Sequence, residues 1–275
     1  MDIKEKGTVT FEVLISTTNR ENLDFLYPMF INNDLNTVNI LIINQTSPNK
    51  ILKSTKENIR VINSFDKGLS RSRNLAIANA KGEICLIADD DEVFVKGFDQ
   101  IIITSFKKHK DSSIIRFKIK TPEGGFLKKY PKKIIQKISA LQILNTSSIE
   151  IAFRKLDILN YKLRFNEHFG LGGLFKLGEE NLFLYDAKST GLGMLFFPET
   201  IASHPKLSTI SKVNLKDRYL AQGAVFHYLF GKKMYMWLLI KMFYDFKQGK
   251  LEFYNFKNAI AHAIQGKKMF LNLGK

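Results

Sequence analysis

Glu83-Ile84-Cys85-Leu86-Ile87-Ala88-Asp89-Asp90-Asp91-Glu92 constrains the fold more than any other stretch. The apolar run from Ile84 to Ala88 leads directly into four consecutive acids. A short apolar run of this kind reads as a strand buried on both faces. The acids then lie on the loop at its carboxyl end, which is where ligands bind in open α/β sheets. Four adjacent carboxylates repel one another, and a divalent cation relieves that repulsion. Asp89 and Asp91 are two apart, so in extended backbone they project to one side and can share an ion. Hard oxygen ligands suit Mg²⁺ or Mn²⁺. The plainer alternative is a solvated acidic turn before the next helix.

The residues upstream favour the site. Gly68-Leu69-Ser70-Arg71-Ser72-Arg73-Asn74-Leu75-Ala76 reads as a glycine turn opening a helix, with Ser70 as N-cap and Lys81-Gly82 as stop. The order is glycine turn, helix, buried strand, acid cluster. This sequence resembles the family 2 glycosyltransferases of the GT-A fold. Gly68, Arg73-Asn74, Gly82-Glu83 and Asp89-x-Asp91 stand in that family's order and spacing.

Length and composition fit such a domain. A chain of 275 residues with 45% apolar content can bury a sizeable core. Its lone Cys85 makes no intrachain disulfide, so a reducing, cytoplasmic setting is the default. No apolar signal-peptide core follows Met1. The run from Met234 to Ile240 is far short of the roughly 20 apolar residues that span a bilayer. A net charge of +16 favours an anionic partner: nucleotide, polyphosphate, nucleic acid or anionic membrane surface.

Taken in order, Thr8 to Ser16, Val38 to Ile43 and Ile59 to Ile62 read as strands, and Asn22 to Asn32 as a helix containing Pro28. After the acids come a helix from Gly97 to His109, a strand from Ser112 to Lys120 and a basic loop from Thr121 to Lys133. A strand from Ile149 to Phe153 and a short helix from Arg154 to Asn160 follow. A helix begins at Gly178 and ends near Gly191, and Leu192 to Phe197 is a further strand. Alternating strands and helices predict a mostly parallel, Rossmann-like α/β sheet flanked by helices.

The resemblance covers roughly residues 9 to 205 and implies roles for particular side chains. Ser16-Thr17-Thr18-Asn19-Arg20 stands where the family lines the nucleotide, so Ser16, Thr17, Asn19 and Arg20 are candidates for the nucleotide sugar. Asn44-Gln45 replaces the family's base-binding acid, and Asn44 is the candidate there, since an amide both donates and accepts. Arg73, Asp89 and Asp90 complete the nucleotide set, with a structural bridge to the acid loop as the alternative for Arg73. Lys67 and Arg71 could face phosphate or plain solvent. The metal set is Asp91, Asp89 and His204, with Asp89 open to a ribose contact instead. The resemblance places the acceptor pocket in the region up to Asn160, and Phe165-Asn166-Glu167-His168-Phe169 with Leu177-Gly178-Glu179-Glu180-Asn181 match the family's Phe-Asp-Glu-x-Phe and Gly-Glu-Asp segments. Glu179 and Glu180 fall in a first helical turn, where acids also stabilise the helix. The resemblance makes Glu180 the catalytic base, with Glu179 beside it.

The implied activity is metal-dependent, inverting transfer from a nucleoside-diphosphate sugar, a UDP-sugar foremost, to a glycan or lipid-linked acceptor in cell-surface polysaccharide assembly. A division follows: a catalytic domain over 1–211 and a basic, aromatic helical extension over 212–275. In that extension, lysines beside aromatic and aliphatic residues fit either an interfacial helix on the inner face of a membrane or a cap packed on the domain. A nucleotidyltransferase would carry a glycine-rich loop after the first strand, where Thr17-Thr18-Asn19-Arg20 has none. A nucleic-acid-binding protein would account for the charge, yet no recognised nucleic-acid motif occurs. A non-catalytic homologue fits poorly with Asp89, Asp91 and Glu180 all present.

Overall fold

A computed structural model describes residues 9–205 and 213–273. The strand start expected at Thr8 and the division expected at 211/212 lie outside the described residues. Strands β1 (Phe11–Thr18), β2 (Asn39–Gln45), β3 (Ile59–Ser64) and β4 (Ile84–Asp89) pair in parallel in the spatial order β3-β2-β1-β4. Beyond β4 the sheet continues through β7 (Ile151–Arg154), β6 (Ile114–Lys120), β8 (Met194–Ser203) and β5 (Val93–Phe94). Here β7 runs antiparallel to β4 and β6, β8 runs parallel to β6, and β5 runs antiparallel to β8. The eight-stranded sheet thus joins a parallel half to a mixed half.

The apolar runs are continuous because both faces of the sheet are covered. Leu14, Leu41, Ile43, Cys85 and Ile87 enter one core layer. Their neighbours Val13, Ile15, Ile40, Ile42, Leu86 and Ala88 enter the other. Cys85 is fully buried, and burial pushes its thiol far up, so it packs rather than reacts.

Several elements differ from expectation. The helix expected over Asn22–Asn32 is a single turn, α1 (Leu26–Met29), with Pro28 inside it. Asn32 and Asn33 instead donate to the Phe94 and Val95 carbonyls, tying this segment to β5. Helix α2 spans Leu69–Asn79 with Gly68 at its N-cap. Ser70 therefore does not cap: it lies inside the helix, and its hydroxyl donates to the Phe169 carbonyl. Gly82 is not the helix stop either, since α2 ends three residues earlier. The Gly82 and Lys81 amides donate to the buried Glu12 carboxylate, which also pairs with Arg60.

Helix α3 (Phe98–Lys108) matches its expected bounds. Helix α4 (Ala140–Leu144) went unpredicted, although Ser139 and Gln142 form a capping box that the sequence displays. Helix α5 (Lys155–Asn160) follows β7, and α6 (Glu179–Ser189) begins at the expected Gly178. Gly178 has φ of 101°, and a Cβ there would stand 2.4 Å from Val225 Cγ2. Glycine therefore meets both a backbone and a packing requirement.

Strand β8 extends past its expected end at Phe197, running through Pro198 to Ser203. Register shifts against β6 fall around Pro198, the kind of irregularity that admits proline. The C-terminal segment forms α7 (Leu215–Phe230), α8 (Met234–Lys247) and α9 (Phe256–Asn272). Helices α7 and α9 cross closely: a Cβ on Gly223 would sit 1.9 Å from the Ala263 carbonyl, and one on Gly266 1.9 Å from that of Leu220. Val225 abuts Gly178, and Phe270 lies edge-on to Phe169, so these helices pack against the segment that starts α6. Among the described residues no helix is long and apolar enough to cross a membrane.

Candidate active site

The carboxyl ends of β1, β2 and β4 open on a cavity of ≈ 530 Å³. That lies in the usual range for a small-molecule site, about 300–1,000 Å³. Ser16, Thr17 and Asn19 line it from the end of β1, and Gln45 from β2. Lys67 and Gly68 face it ahead of α2, and Asp89, Asp90 and Asp91 from the end of β4. Ser148, Glu179 and Glu180 also line it, and His204 does so beside Asp91. Parallel pairing sets Ser16 beside Asp89 in register.

At the centre lies Arg73, 2% exposed. Its Nη1 donates to Glu179 Oε1 at 2.8 Å, and Nη2 donates to Asp89 Oδ1 at 3.1 Å and Ser148 Oγ at 2.7 Å. Burial pulls the guanidinium down, but Asp89, Glu179 and Glu180 outweigh it and raise its pKa. Arg73 thus bridges the acid loop to the start of α6 and also lines the cavity.

The acid loop is held from several sides. Arg20 Nε and Nη2 donate to Asp90 Oδ2 at 2.9 and 2.7 Å, and the Thr17 hydroxyl donates to the same oxygen. Arg20 and Asp90, both expected at the nucleotide, form a latch with each other, and Arg20 does not line the cavity. Glu92 is buried and accepts from the Asp89 amide through Oε1, while Oε2 has no partner. Burial, reinforced by the charge of Asp89, pushes the Glu92 carboxyl well above the usual range.

Asp91 Oδ1 lies 3.1 Å from His204 Nε2, and His204 Nδ1 lies 2.7 Å from the Pro205 carbonyl oxygen. The bond to His204 holds the Asp91 carboxyl below its ordinary value. Burial pulls the His204 imidazole down, yet Asp91 outweighs it and raises the pKa. Asp89 is pushed up by loss of water, against the pull of Arg73, and the charge of Asp91 adds to the rise. Among the described residues no three acid, histidine or cysteine side chains stand as a ready cation cage. The donor set nonetheless fits a divalent ion: two carboxylates that repel each other and an imidazole, converging on one wall.

The two acids at the start of α6 separate cleanly. Glu179 is 6% exposed and bound to Arg73. Glu180 faces the cavity half-buried, outside the Arg73 ion pairs. Loss of water, then the charge of Glu179, pushes the Glu180 carboxyl well above the usual range.

At the end of β2 the structure differs from expectation. Asn44 is fully buried and does not line the cavity. Its amide donates to the Arg20 carbonyl and Asn63 Oδ1 and accepts from the Arg20 amide, so its hydrogen-bonding groups are engaged within the protein. Side chains alternate along a strand, and the next residue, Gln45, reaches the cavity instead, accepting from the Gly68 amide at 2.7 Å. Lys67 lines the cavity, whereas Arg71 pairs with Glu167 on the surface. Leu127, Ser148 and Lys176 line it without having been anticipated; Leu127 and Lys176 sit in loops and Ser148 opens a single 3₁₀ turn, where no periodicity marks a facing residue.

The sequence profile of "Glycosyl transferase family 2" matches residues 12–180, more than half of the chain. Comparison with curated proteins gives no match. Among solved structures, S. aureus TarS 1-349 matches with a TM-score of 0.60 at 17% identity, covering 94% of this chain and 80% of that one. TarS 1-349 in complex with UDP-GlcNAc matches with a TM-score of 0.57 at 18% identity, covering 96% and 72%. Against the longer TarS structure the TM-score is 0.54 at 18% identity, and this chain covers 39% of that chain's length. These likenesses establish the GT-A fold, and the family profile establishes membership: the chain belongs to glycosyl transferase family 2.

Proposed function

We propose that this glycosyltransferase moves a sugar from a nucleoside-diphosphate donor, a UDP-sugar, to a hydroxyl of a glycan or lipid-linked acceptor, with inversion. One observation carries the reading: a single cavity is lined by the acid loop, by His204 and by the Glu180 carboxylate. Transfer needs groups for the donor and for the acceptor around one reacting carbon, with the leaving diphosphate and the attacking hydroxyl on opposite sides of that carbon. The UDP and UDP-GlcNAc complexes of TarS support the choice of donor class.

In this reading Ser16, Thr17, Asn19, Gln45 and Lys67 surround the nucleotide. Glu180 takes the acceptor proton as the acceptor oxygen bonds to the anomeric carbon and the bond to the diphosphate oxygen breaks. A carboxylate with a raised pKa suits this task, since a base works best with its pKa near the working pH. Glu179 holds Arg73, and Arg73 holds Asp89 in place. Mn²⁺ or Mg²⁺ would be held by Asp91 with Asp89 and His204. Such an ion supplies Lewis-acid neutralisation of the leaving diphosphate. The setting proposed is cell-surface polysaccharide assembly in the cytoplasm, beside the inner face of a membrane.

The test is a thermal-shift panel of nucleotide sugars with and without Mn²⁺, with Asp91→Ala as control. Metal-dependent stabilisation by a UDP-sugar in the parent and not in the variant is the expected result. A chain that answers to no nucleoside diphosphate in either condition refutes the reading.

A further inference from the structure

Helix α8 has an unusual surface. Met234, Leu238, Met242 and Asp245 turn inward and are buried. An ordinary surface helix would turn polar residues outward. Instead Tyr235, Met236, Leu239, Ile240, Phe243 and Tyr244 are all exposed, Leu239 at 59% and Phe243 at 58%. At about 100° per residue these six fall on one contiguous half of the helix. The turn after α8 adds Phe253 and Tyr254, exposed at 77% and 76%.

Charge tells what could cover this face. Lys232 and Lys233 flank its start, and Lys247, Lys250 and Lys257 follow, all exposed. Lys247 Nζ lies 4.7 Å from the centre of the Phe243 ring. Among the described residues from 231 onward the acids are Asp245, buried against Lys241 and Tyr219, and Glu252. A second copy docking on this face through a two-fold axis would meet the same lysine-rimmed surface with almost no acid to pair it. An anionic lipid surface meets it with opposite charge, while aromatic and aliphatic side chains enter the headgroup boundary.

We infer that α8, with the Phe253–Tyr254 turn, is an in-plane docking face for an anionic membrane. Its 14 residues span about 21 Å at 1.5 Å per residue, short of the ~30 Å bilayer core, so the helix lies along the surface. Through α7 and α9 the docked face is tied to Gly178 and Phe169 beside the cavity, which would present the site to acceptors carried at the membrane. The inference rests on the proposed membrane-side function and supplies the element that achieves it.

The experiment is co-sedimentation of the full chain with phosphatidylcholine vesicles and with vesicles of equal parts phosphatidylcholine and phosphatidylglycerol. At least tenfold stronger partition to the anionic vesicles is expected, weakening with salt. Leu239→Glu with Phe243→Glu should abolish it. Lys232→Glu with Lys233→Glu and Lys247→Glu, which leaves the apolar face intact, should reduce it at least tenfold. Mn²⁺-dependent UDP binding should persist in both, since neither set lines the cavity. No partition of the parent to anionic vesicles overturns the inference, as does a dimer by light scattering that the Leu239→Glu, Phe243→Glu variant dissolves. A chain that binds UDP but not vesicles refutes the membrane face alone. One that binds vesicles but no nucleotide refutes the transferase reading alone.

Discussion

Arg73 and Glu179, 106 residues apart in sequence, meet at 2.8 Å with side chains only 3% and 8% exposed. This pair fastens the helix that opens the donor side to the helix that carries the proposed base. Removing one partner of a buried pair leaves an uncompensated charge, which costs about 3–5 kcal/mol. Arg73→Ala should lower the free energy of urea unfolding by that order. Glu179→Gln keeps a hydrogen-bond acceptor and should cost less while weakening donor affinity through Asp89. A measured loss under about 1 kcal/mol for Arg73→Ala, the usual worth of an exposed pair, would mean that the bridge is not the anchor described.

Glu180→Gln should cut turnover by roughly 10²–10⁴-fold with donor affinity nearly unchanged. The base acts when deprotonated, so activity should be lost as pH falls through its raised pKa. The acid limb of kcat/KM should therefore lie above the ordinary carboxylate range and vanish in the variant. Stability takes the opposite sign. A carboxyl with a raised folded-state pKa favours the folded state below its unfolded value, and that contribution is lost as pH rises through the folded one. Glu180→Gln should then have the higher Tm at pH 8, with the gap closing at pH 4. A pH-independent difference would contradict the assignment.

Asp91→Asn should abolish metal-dependent UDP binding and transfer. Titration calorimetry of UDP with and without Mn²⁺ checks this. Unchanged Mn²⁺-dependent affinity would remove Asp91 from the ligand set.

The neighbours Asn44 and Gln45 should separate stability from recognition. Asn44→Ala leaves buried partners unsatisfied and should cost about 1–3 kcal/mol of stability. Nucleotide affinity of its folded fraction should stay near that of the parent. Gln45→Ala should weaken nucleotide binding with a small change in stability. Measured affinities in the reverse order would put Asn44, not Gln45, at the base.

The sequence by itself determined the strands and the chemistry at their ends. The run Ile84–Ala88 and its counterparts in β1 and β2 are local signals, because a strand buried on both faces must be apolar at every position. The acids Asp89–Asp91 follow directly, as does Gly178 at the start of α6. What tertiary structure alone decided was which polar side chains face the cavity and which brace it. Asn44 and Gln45 are both amides at one strand end, and only the pleat and the partners Asn63 and Arg20 send one inward. Arg20 and Asp90 came together because the turn after β1 folds over the acid loop. His204 reached Asp91 through pairing of the two-residue β5 with an extended β8, an element too short to leave a periodic signal. The outward apolar face of α8 was equally hidden. Its sequence is apolar almost all round, so periodicity cannot say which half the protein buries; the packing of Leu238 and Met242 decided that.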